Sequence, residues 1–332
     1  MGSMKEGMHD ILILDGGMGR ELKKTGAPFK QPEWSALALM QTPELVSDVH
    51  KRFLEAGACV ITTNAYALVP FHIGENTFRE QAFTLAQSAA ELARGAVNAL
   101  KSDGGNKRFV AGSVPPAFGS YRPDLFDATR VADILTPLIK AQEPYVDVWL
   151  IETASSVEEA EAVVSLIKQH SSLPLWLSFS VSNRETSNEP VTLRSGEPLS
   201  EIASILSEVQ SVLFNCSQPE EMEDAISITR SLNTSINIGA YANSFSERKR
   251  THAANALLSE IRDDITPARY VEYVKTWVAA GATIIGGCCG IGPEHIKAIS
   301  DVYTATQRMS VSIHLATDYR LVQSAPLNSL SM

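Results

Sequence analysis

The strongest constraint on the fold of this 332-residue chain is the regular alternation of short apolar segments with longer amphipathic ones. Eight strand candidates each precede a helix candidate, and the first, at 11–14, is continuously apolar. Continuous apolar strands are typical of a parallel sheet that is covered on both faces. Eight such units over about 300 residues match the size and order of a (β/α)8 barrel. We therefore predict an α/β fold with a single barrel domain at 11–310, an N-terminal segment at 1–10 and a C-terminal tail at 311–332.

The predicted elements have approximate bounds that the structure can test. The strands are predicted at 11–14, 59–64, 109–114, 148–151, 175–180, 212–216, 236–241 and 282–285. The principal helices are predicted at 42–56, 77–100, 129–142, 156–170, 199–209, from 219 onward, 267–280 and 293–306. A doubly wound sheet is the competing fold, but Gly16-Gly17-Met18-Gly19 lacks the spacing of a dinucleotide-binding fingerprint.

Composition and net charge indicate which kinds of molecule the protein can bind. A formal net charge of −10 with 44% hydrophobic residues is typical of a soluble globular protein and argues against nucleic acid or an anionic membrane as a partner. No apolar run reaches membrane-spanning length and no secretion signal begins the chain, so we expect a cytoplasmic protein that acts on small molecules. Met1-Gly2-Ser3 has the form of a cloning scar, and the sequence leaves the oligomeric state open.

A barrel of this class carries its active site at the carboxyl ends of its strands. Polar and thiol side chains should therefore collect at those ends if the chain is an enzyme. The sequence places the following residues there: Asp15, Thr63, Asn64, Glu152, Cys216, Tyr241, Cys288 and Cys289.

Three of these residues are cysteines in strand-end positions. Cys288 and Cys289 are adjacent within a glycine-rich turn, and Cys216 ends the sixth predicted strand. Adjacent thiols can reach one ion only where the chain leaves the strand, and the flanking glycines permit that departure. Three thiolates without an evident fourth protein ligand indicate a zinc site with an open coordination position, which is typical of catalytic zinc.

Other interpretations of the cysteines stay open at this point. Buried cysteines are often inert core residues, and a disulfide between Cys288 and Cys289 would be strained and disfavoured in a reducing compartment. Cys59 begins the second predicted strand, about 16 Å from Asn64 at the other end of that strand. We therefore predict that Cys59 is a core residue and not a ligand.

Seven short segments are distributed along nearly the whole predicted barrel: Leu14-Asp15-Gly16-Gly17-Met18-Gly19, Thr62-Thr63-Asn64-Ala65-Tyr66, Val110-Ala111-Gly112-Ser113, Ile151-Glu152-Thr153, Phe214-Asn215-Cys216, Tyr241-Ala242-Asn243 and Gly286-Gly287-Cys288-Cys289-Gly290. In these segments and in their order the chain closely resembles the homocysteine S-methyltransferase family. The resemblance implies zinc-dependent transfer of a methyl group to the sulfur of homocysteine, which forms methionine. Cys216, Cys288 and Cys289 match the family's zinc ligands.

The chemistry of zinc and thiols is consistent with that implication. A free thiol with a pKa of about 8.5 is mostly protonated at neutral pH, whereas a thiol that coordinates zinc is deprotonated. We therefore expect the zinc-activated substrate thiolate to be the nucleophile, with no further catalytic residue, because attack by a preformed thiolate requires no proton transfer.

Two carboxylates in the mouth of an apolar barrel require cationic partners. The resemblance implies that Asp15 and Glu152 bind the homocysteine ammonium, and that the backbone around Gly16 and Gly17 and the Thr63 hydroxyl bind its carboxylate. A helix-capping Asp15 and a salt-bridged Glu152 are the structural alternatives. The full predicted set of substrate-binding residues is Asp15, Gly16, Gly17, Thr63, Asn64 and Glu152.

The methyl donor is expected to be a sulfonium such as S-methylmethionine or S-adenosylmethionine, since transfer from positive sulfur releases a neutral leaving group. The aromatic residues Trp34, Tyr66, Phe118 and Tyr121 could face it, with loop packing as the alternative role. His50 and His295 are predicted to be structural. The alternative functions are a betaine- or corrinoid-dependent methyltransferase and, in another class, a barrel with structural zinc or a redox-active dithiol.

Overall fold

A computed structural model describes residues 11–100, 107–186, 188–246 and 260–303. The predicted N-terminal segment at 1–10 and the C-terminal tail at 311–332 lie outside these ranges, as does the predicted end of the last helix at 304–306. Within them the chain forms one eight-stranded parallel sheet surrounded by helices, which confirms the predicted (β/α)8 barrel.

The eight strands are parallel and neighbours in sequence are neighbours in the sheet, in the order β1-β8-β7-β6-β5-β4-β3-β2. A backbone bridge between Leu14 and Val60 joins β1 to β2 and closes the barrel. The strands are β1 (Leu12–Ile13), β2 (Val60–Thr62), β3 (Phe109–Val114), β4 (Val148–Ala154), β5 (Leu175–Phe179), β6 (Ser211–Asn215), β7 (Asn237–Tyr241) and β8 (Ile284–Ile285). All eight predicted strands are present, several of them shorter than predicted.

The helices of the described chain pack on the outside of the barrel. They are α1 (Met18–Lys24), α2 (Ser35–Gln41), α3 (Pro43–Glu55), α4 (Pro70–Ile73), α5 (Glu75–Ala99), α6 (Val131–Gln142), α7 (Val157–His170), α8 (Pro219–Leu232), α9 (Pro267–Ala279) and α10 (Pro293–Tyr303). The short helices α1, α2 and α4 were not predicted. Among these helices, none is both long enough and apolar enough to cross a membrane.

Residue alternation along β4 determines which side chains enter the barrel. Val148 and Leu150 belong to the small apolar cluster inside the barrel, whereas Trp149 and Ile151 pack in the larger cluster beneath the helices. Because successive strand residues face opposite sides, Glu152 follows Leu150 toward the barrel interior. The strand thus carries its carboxylate to the top of the interior apolar layer.

Ser156 and Thr42 each stand directly before a helix, but only Ser156 caps it. The Ser156 hydroxyl accepts a hydrogen bond from the Glu159 N–H at 3.2 Å, as an N-cap of α7 should. Thr42 does precede α3, but its hydroxyl donates to the Ala38 carbonyl of α2 at 3.3 Å and makes no cap. Thr42 therefore joins two helices instead of capping one.

The helix predicted at 199–209 is wrong in type. The structure has two 3₁₀ segments there, Leu199–Ser204 and Leu206–Glu208. The buried apolar side chains Leu199, Ile202 and Ile205 recur at every third residue, which matches the three residues per turn of a 3₁₀ helix, whereas an α-helix has 3.6.

Candidate metal centre and substrate pocket

The fold brings together the three cysteines that were predicted to bind a metal. Cys216 directly follows β6, while Cys288 and Cys289 lie in the turn after β8. Their Sγ atoms all lie within 4.8 Å of one another. Tetrahedral zinc with Zn–S bonds of about 2.3 Å holds its sulfur ligands roughly 3.8 Å apart. In their reduced form these three cysteines therefore fit a zinc ion with one coordination position left for a substrate.

The sulfur atoms of Cys216 and Cys288 are in direct contact as a disulfide pair, with their Cα atoms 5.8 Å apart. Cys289 is not part of this pair. This pair joins Cys288 to Cys216. The disulfide between Cys288 and Cys289 that the sequence left open is not formed.

Left-handed backbone conformations present two of the site residues. Cys216 has a φ of 48° and Thr153, directly after Glu152, has a φ of 61°, a conformation that is rare for a β-branched residue. Asn215 supports both turns. Its Oδ1 accepts from the Thr153 N–H at 3.1 Å and its Nδ2 donates to the Thr153 hydroxyl at 2.9 Å. One asparagine thus ties the turn after the carboxylate to the turn that presents the thiol.

The Cys288-Cys289 turn is held from both sides by backbone contacts. The Cys288 N–H donates to the Ala242 carbonyl and the Ser244 N–H donates to the Cys289 carbonyl, each at 2.9 Å. Gly17 packs on the other side of the turn, where a Cβ would lie 2.7 Å from the Cys288 carbonyl oxygen. Gly17 therefore has a packing role against the cysteine turn, beside the substrate-binding role predicted for it.

We expect Gly17→Ala to destabilise the protein, because the added methyl must displace the Cys288 backbone. Overpacking of this kind costs about 1–3 kcal/mol of unfolding free energy, and displacing the turn should also weaken zinc binding. Gly95→Ala in α5 is the matched control, since a Cβ there has nothing within 4 Å and alanine is favoured in helices by about 0.5–1 kcal/mol. Denaturant titration and zinc titration of both variants measure the difference. Equal zinc affinity in the two variants would contradict the close packing.

A pocket opens beside the cysteine cluster, and the two predicted carboxylates line it. Asp15 accepts hydrogen bonds from the Thr62 N–H at 2.8 Å and from the Thr62 hydroxyl at 3.3 Å. Glu152 accepts from the Ser113 hydroxyl at 2.5 Å. Neutral donors thus orient both carboxylates toward a common space next to the thiols, and Asp15 does not cap a helix.

Burial dominates the protonation of these carboxylates. Burial, with a smaller contribution from the negative charge of Glu152, raises the pKa of Asp15 to about 8 against the opposing effect of the Thr62 hydrogen bonds. Burial also raises the pKa of Glu152 to about 7, against the opposing effect of the Ser113 hydroxyl. A cationic group in the pocket would offset this cost and favour the ionised forms.

These raised pKa values predict a pH dependence of stability in the ligand-free protein. The folded state binds more protons than the unfolded state between the ordinary carboxyl pKa near 4 and the raised pKa. Protonation of the buried carboxyl groups therefore stabilises the folded state fully below about pH 4, and this contribution to the unfolding free energy is lost as the pH rises toward 8. We expect the unfolding free energy of Asp15→Asn to decline less steeply over this range than that of the wild type. The unfolding free energy of both proteins is measured by denaturation across this pH range at a fixed zinc concentration. If it falls equally steeply in both, Asp15 is not the source of the pH dependence.

Of the remaining predicted substrate residues, Thr63 and Asn64 line the pocket but have internal partners. The Thr63 hydroxyl donates to Gln142 Oε1 at 2.6 Å and accepts from the Ser113 N–H at 2.9 Å. Asn64 Nδ2 donates to the Ser35 carbonyl at 3.1 Å. The Thr63 hydroxyl is thus already engaged, so the structure gives it the role of orienting the pocket wall.

Three of the four aromatic residues considered for a wall against the donor line the pocket, and the fourth does not. Trp34, Tyr66 and Tyr121 line the pocket. Phe118 is outside that lining and packs edge-on against Phe126, with ring centroids 6.1 Å apart. The sequence analysis missed several pocket residues that lie in loops or short helices: Arg20, Phe29, His72 and Phe245.

Residues predicted to stand apart from the site do so. Cys59 is a free cysteine outside the cluster, although it is only partly buried and is not a true core residue. His50 is fully buried on α3, and burial lowers its pKa to about 3. His295 on α10 pairs through Nε2 with the Ile265 carbonyl at 2.9 Å. Neither histidine is part of the pocket lining, and a structural role remains the prediction for both.

A parallel eight-stranded barrel with a thiol cluster and buried carboxylates at the carboxyl ends of its strands defines a TIM-barrel enzyme with a candidate metal site. The family model described as Homocysteine S-methyltransferase matches residues 12–303. The chain belongs to this family of enzymes.

Individual relatives are similar along most of the chain. Homocysteine S-methyltransferase 1 of Brassica oleracea var. italica is 30% identical over 314 residues, which cover 87% of this chain and 92% of the relative. A selenocysteine methyltransferase of Astragalus bisulcatus is 27% identical over 334 residues, which cover 90% of this chain and 94% of that relative. The metallated form of the homocysteine methyltransferase MmuM from Escherichia coli superposes on this chain with a TM-score of 0.73 at 28% sequence identity. The superposition covers 89% of this chain and 97% of the MmuM chain.

Proposed function

We propose that this enzyme transfers a methyl group from a sulfonium donor, S-methylmethionine or S-adenosylmethionine, to the sulfur of homocysteine. The observation that carries the proposal is the cluster of three Sγ atoms within 4.8 Å of one another beside two buried carboxylates. Family membership supplies the acceptor class. The carboxylates and the cluster together match an acceptor that carries both an ammonium and a thiol.

Cys216, Cys288 and Cys289 would hold the zinc, and bound zinc would lower the pKa of the acceptor thiol and so make it nucleophilic at neutral pH. The chain's own groups would orient the acceptor. Asp15 and Glu152 take its ammonium, and their hydrogen bonds from Thr62 and Ser113 fix the directions of both carboxylates. No acid or base is required of them, because the transferred methyl carries no exchangeable proton.

The pocket's aromatic lining supports a cationic donor. Trp34, Tyr66 and Tyr121 lie along it, and aromatic faces attract cations by about 0.5–2 kcal/mol. Attack on a methyl group of positive sulfur produces neutral products, so charge is lost in the transition state. Charge is costly to bury in an apolar pocket, and the transition state carries less charge than the reactants. The pocket therefore favours the transition state.

The acceptor could be tested beyond homocysteine, since the similar protein from Astragalus bisulcatus is named as a selenocysteine methyltransferase. A selenol ionises more readily than a thiol and would fit the same cluster. We keep homocysteine as the proposed acceptor because the family description and the Brassica relative both name it.

The test combines metal analysis with a donor screen. Purified protein is expected to contain about one zinc per chain and to form methionine from homocysteine with at least one sulfonium donor. Betaine and a methylated corrinoid are supplied in parallel, and selenocysteine replaces homocysteine in a further reaction. Turnover with betaine or the corrinoid alone would refute the donor, whereas a metal-free protein that cycles between dithiol and disulfide would refute the zinc chemistry.

A further inference from the structure

Among the described residues that line the pocket, Arg20 is the sole arginine or lysine. The acceptor chemistry proposed above gives it no task. Arg20 lies in α1, and its guanidinium carbon is 5.7 Å from the centroid of the Phe245 ring, which lines the same pocket. A fixed positive charge therefore stands over an aromatic face within a pocket that otherwise carries two buried carboxyl groups.

Backbone contacts place this pair beside the cysteine turn. Gly17, one helical turn before Arg20, packs against the backbone of Cys288 and Cys289. Ser244, directly before Phe245, donates its N–H to the Cys289 carbonyl at 2.9 Å. Both segments that carry the pair thus contact the turn that holds two of the three thiols, and Arg20 lines the same pocket as those thiols.

Further aromatic side chains surround the same part of the pocket. Phe29 packs against α1 so closely that a Cβ on Gly19 would lie 2.9 Å from its ring. Trp34 meets Phe29 edge-on at a centroid distance of 5.6 Å, and both rings line the pocket. A guanidinium binds carboxylates in a fixed planar geometry, whereas aromatic rings attract cations. The two features together suit a ligand with a carboxylate at one end and a cationic centre along its chain.

We propose that Arg20 binds the carboxylate of an amino-acid methyl donor, while Phe29 and Trp34 surround the part of the donor that carries the sulfonium. This inference rests on the proposed function and deepens it, because it requires a sulfonium donor that has a free carboxylate. Asp15 and Glu152 remain the partners of the acceptor's ammonium. The acceptor is thus held by negatively charged groups, whereas the donor is held by the positively charged Arg20.

The kinetic test compares S-methylmethionine with its carboxamide, which has the same shape and lacks the negative charge. With the zinc-loaded wild type, kcat/KM should favour the carboxylate at least roughly 10-fold, the size expected of one hydrogen bond between charged groups. Arg20→Gln should bring this ratio near one, mainly through the donor KM, and leave the homocysteine KM unchanged. Lys23→Gln is the matched control, since Lys23 is an exposed cation of the same helix outside the pocket. Because the ratio compares two donors on one protein, a general loss of stability does not move it.

Calorimetry of the same two compounds without homocysteine separates this inference from the proposed function. If the wild type prefers the carboxylate in binding and Arg20→Gln loses the preference, the role of Arg20 stands even where no methyl is transferred, and only the donor assignment fails. If Arg20→Gln retains the preference, or raises the homocysteine KM instead of the donor KM, the role of Arg20 is overturned while methyl transfer stands. If the wild type binds neither compound, both are overturned.

Discussion

Replacing any one of Cys216, Cys288 or Cys289 by alanine is expected to remove bound zinc and to lower methyl transfer to homocysteine at least about 1,000-fold. The metal contributes several kcal/mol to a reaction of this kind, and each 1.36 kcal/mol is a factor of ten in rate. Two thiols do not complete the three-thiol set that lies within 4.8 Å, so each cysteine should be individually required. Elemental analysis and steady-state kinetics measure the two effects.

The barrel should remain folded in all three variants, because each substitution removes a small side chain at a strand end and leaves the apolar interior intact. Far-ultraviolet circular dichroism checks this. Cys59→Ala is the control, since Cys59 is a free cysteine outside the cluster, and it should keep both zinc and activity. Full activity in a zinc-free Cys289→Ala protein would sink the proposed chemistry.

Asp15→Asn and Glu152→Gln should each raise the homocysteine KM by roughly 10- to 150-fold with zinc retained. Each change keeps the shape of the side chain and removes one charge-assisted contact to the substrate ammonium, a loss of about 1.5–3 kcal/mol. Kinetics and zinc content are measured on the same preparations. An acceptor analogue without the amino group should bind equally well to wild type and variants, because it cannot make the lost contact.

Glu159→Gln provides the matched control for buried charge. Burial raises the pKa of Glu159 to about 7, as it does for Glu152, but Glu159 accepts from the Ser155 N–H at 2.8 Å at the start of α7 and is not part of the pocket lining. It should leave the homocysteine KM unchanged. The assignment of Asp15 and Glu152 fails if either substitution alters zinc content while the homocysteine KM stays at the wild-type value.

The sequence was most informative where chain direction alone determines position. Parallel strands all end at one face of a barrel, so Cys216 and Glu152 could be placed together although 64 residues separate them (216 − 152). The same argument excluded Cys59, which begins its strand. These predictions required only the strand boundaries and the period-two alternation of side chains.

The sequence was least informative where tertiary contacts determine the surroundings of a side chain. The Thr63 hydroxyl is engaged by Gln142, 79 residues later in the chain, and nothing local in the sequence signals that pairing. Arg20 and Phe245 lie in a short helix and a loop that lack a diagnostic hydrophobic period. The aromatic character of Phe118 left open whether it faces the donor or packs within a loop, and in the structure its ring packs against Phe126.

The order of the strands also bears on how the protein acquires its chemistry during synthesis. The carboxylates come from β1 and β4, but two of the three thiols follow β8, which inserts between β7 and β1 as the last strand of the sheet. A nascent chain that has emerged as far as β7 therefore carries both acidic groups and a single site thiol, Cys216. Because the polypeptide leaves the ribosome from its N-terminus, the complete set of thiols exists only after the final strand has been translated. If the cluster binds zinc as proposed, the chain can load the metal only once β8 has closed the barrel, and an incompletely translated chain lacks the three-thiol site.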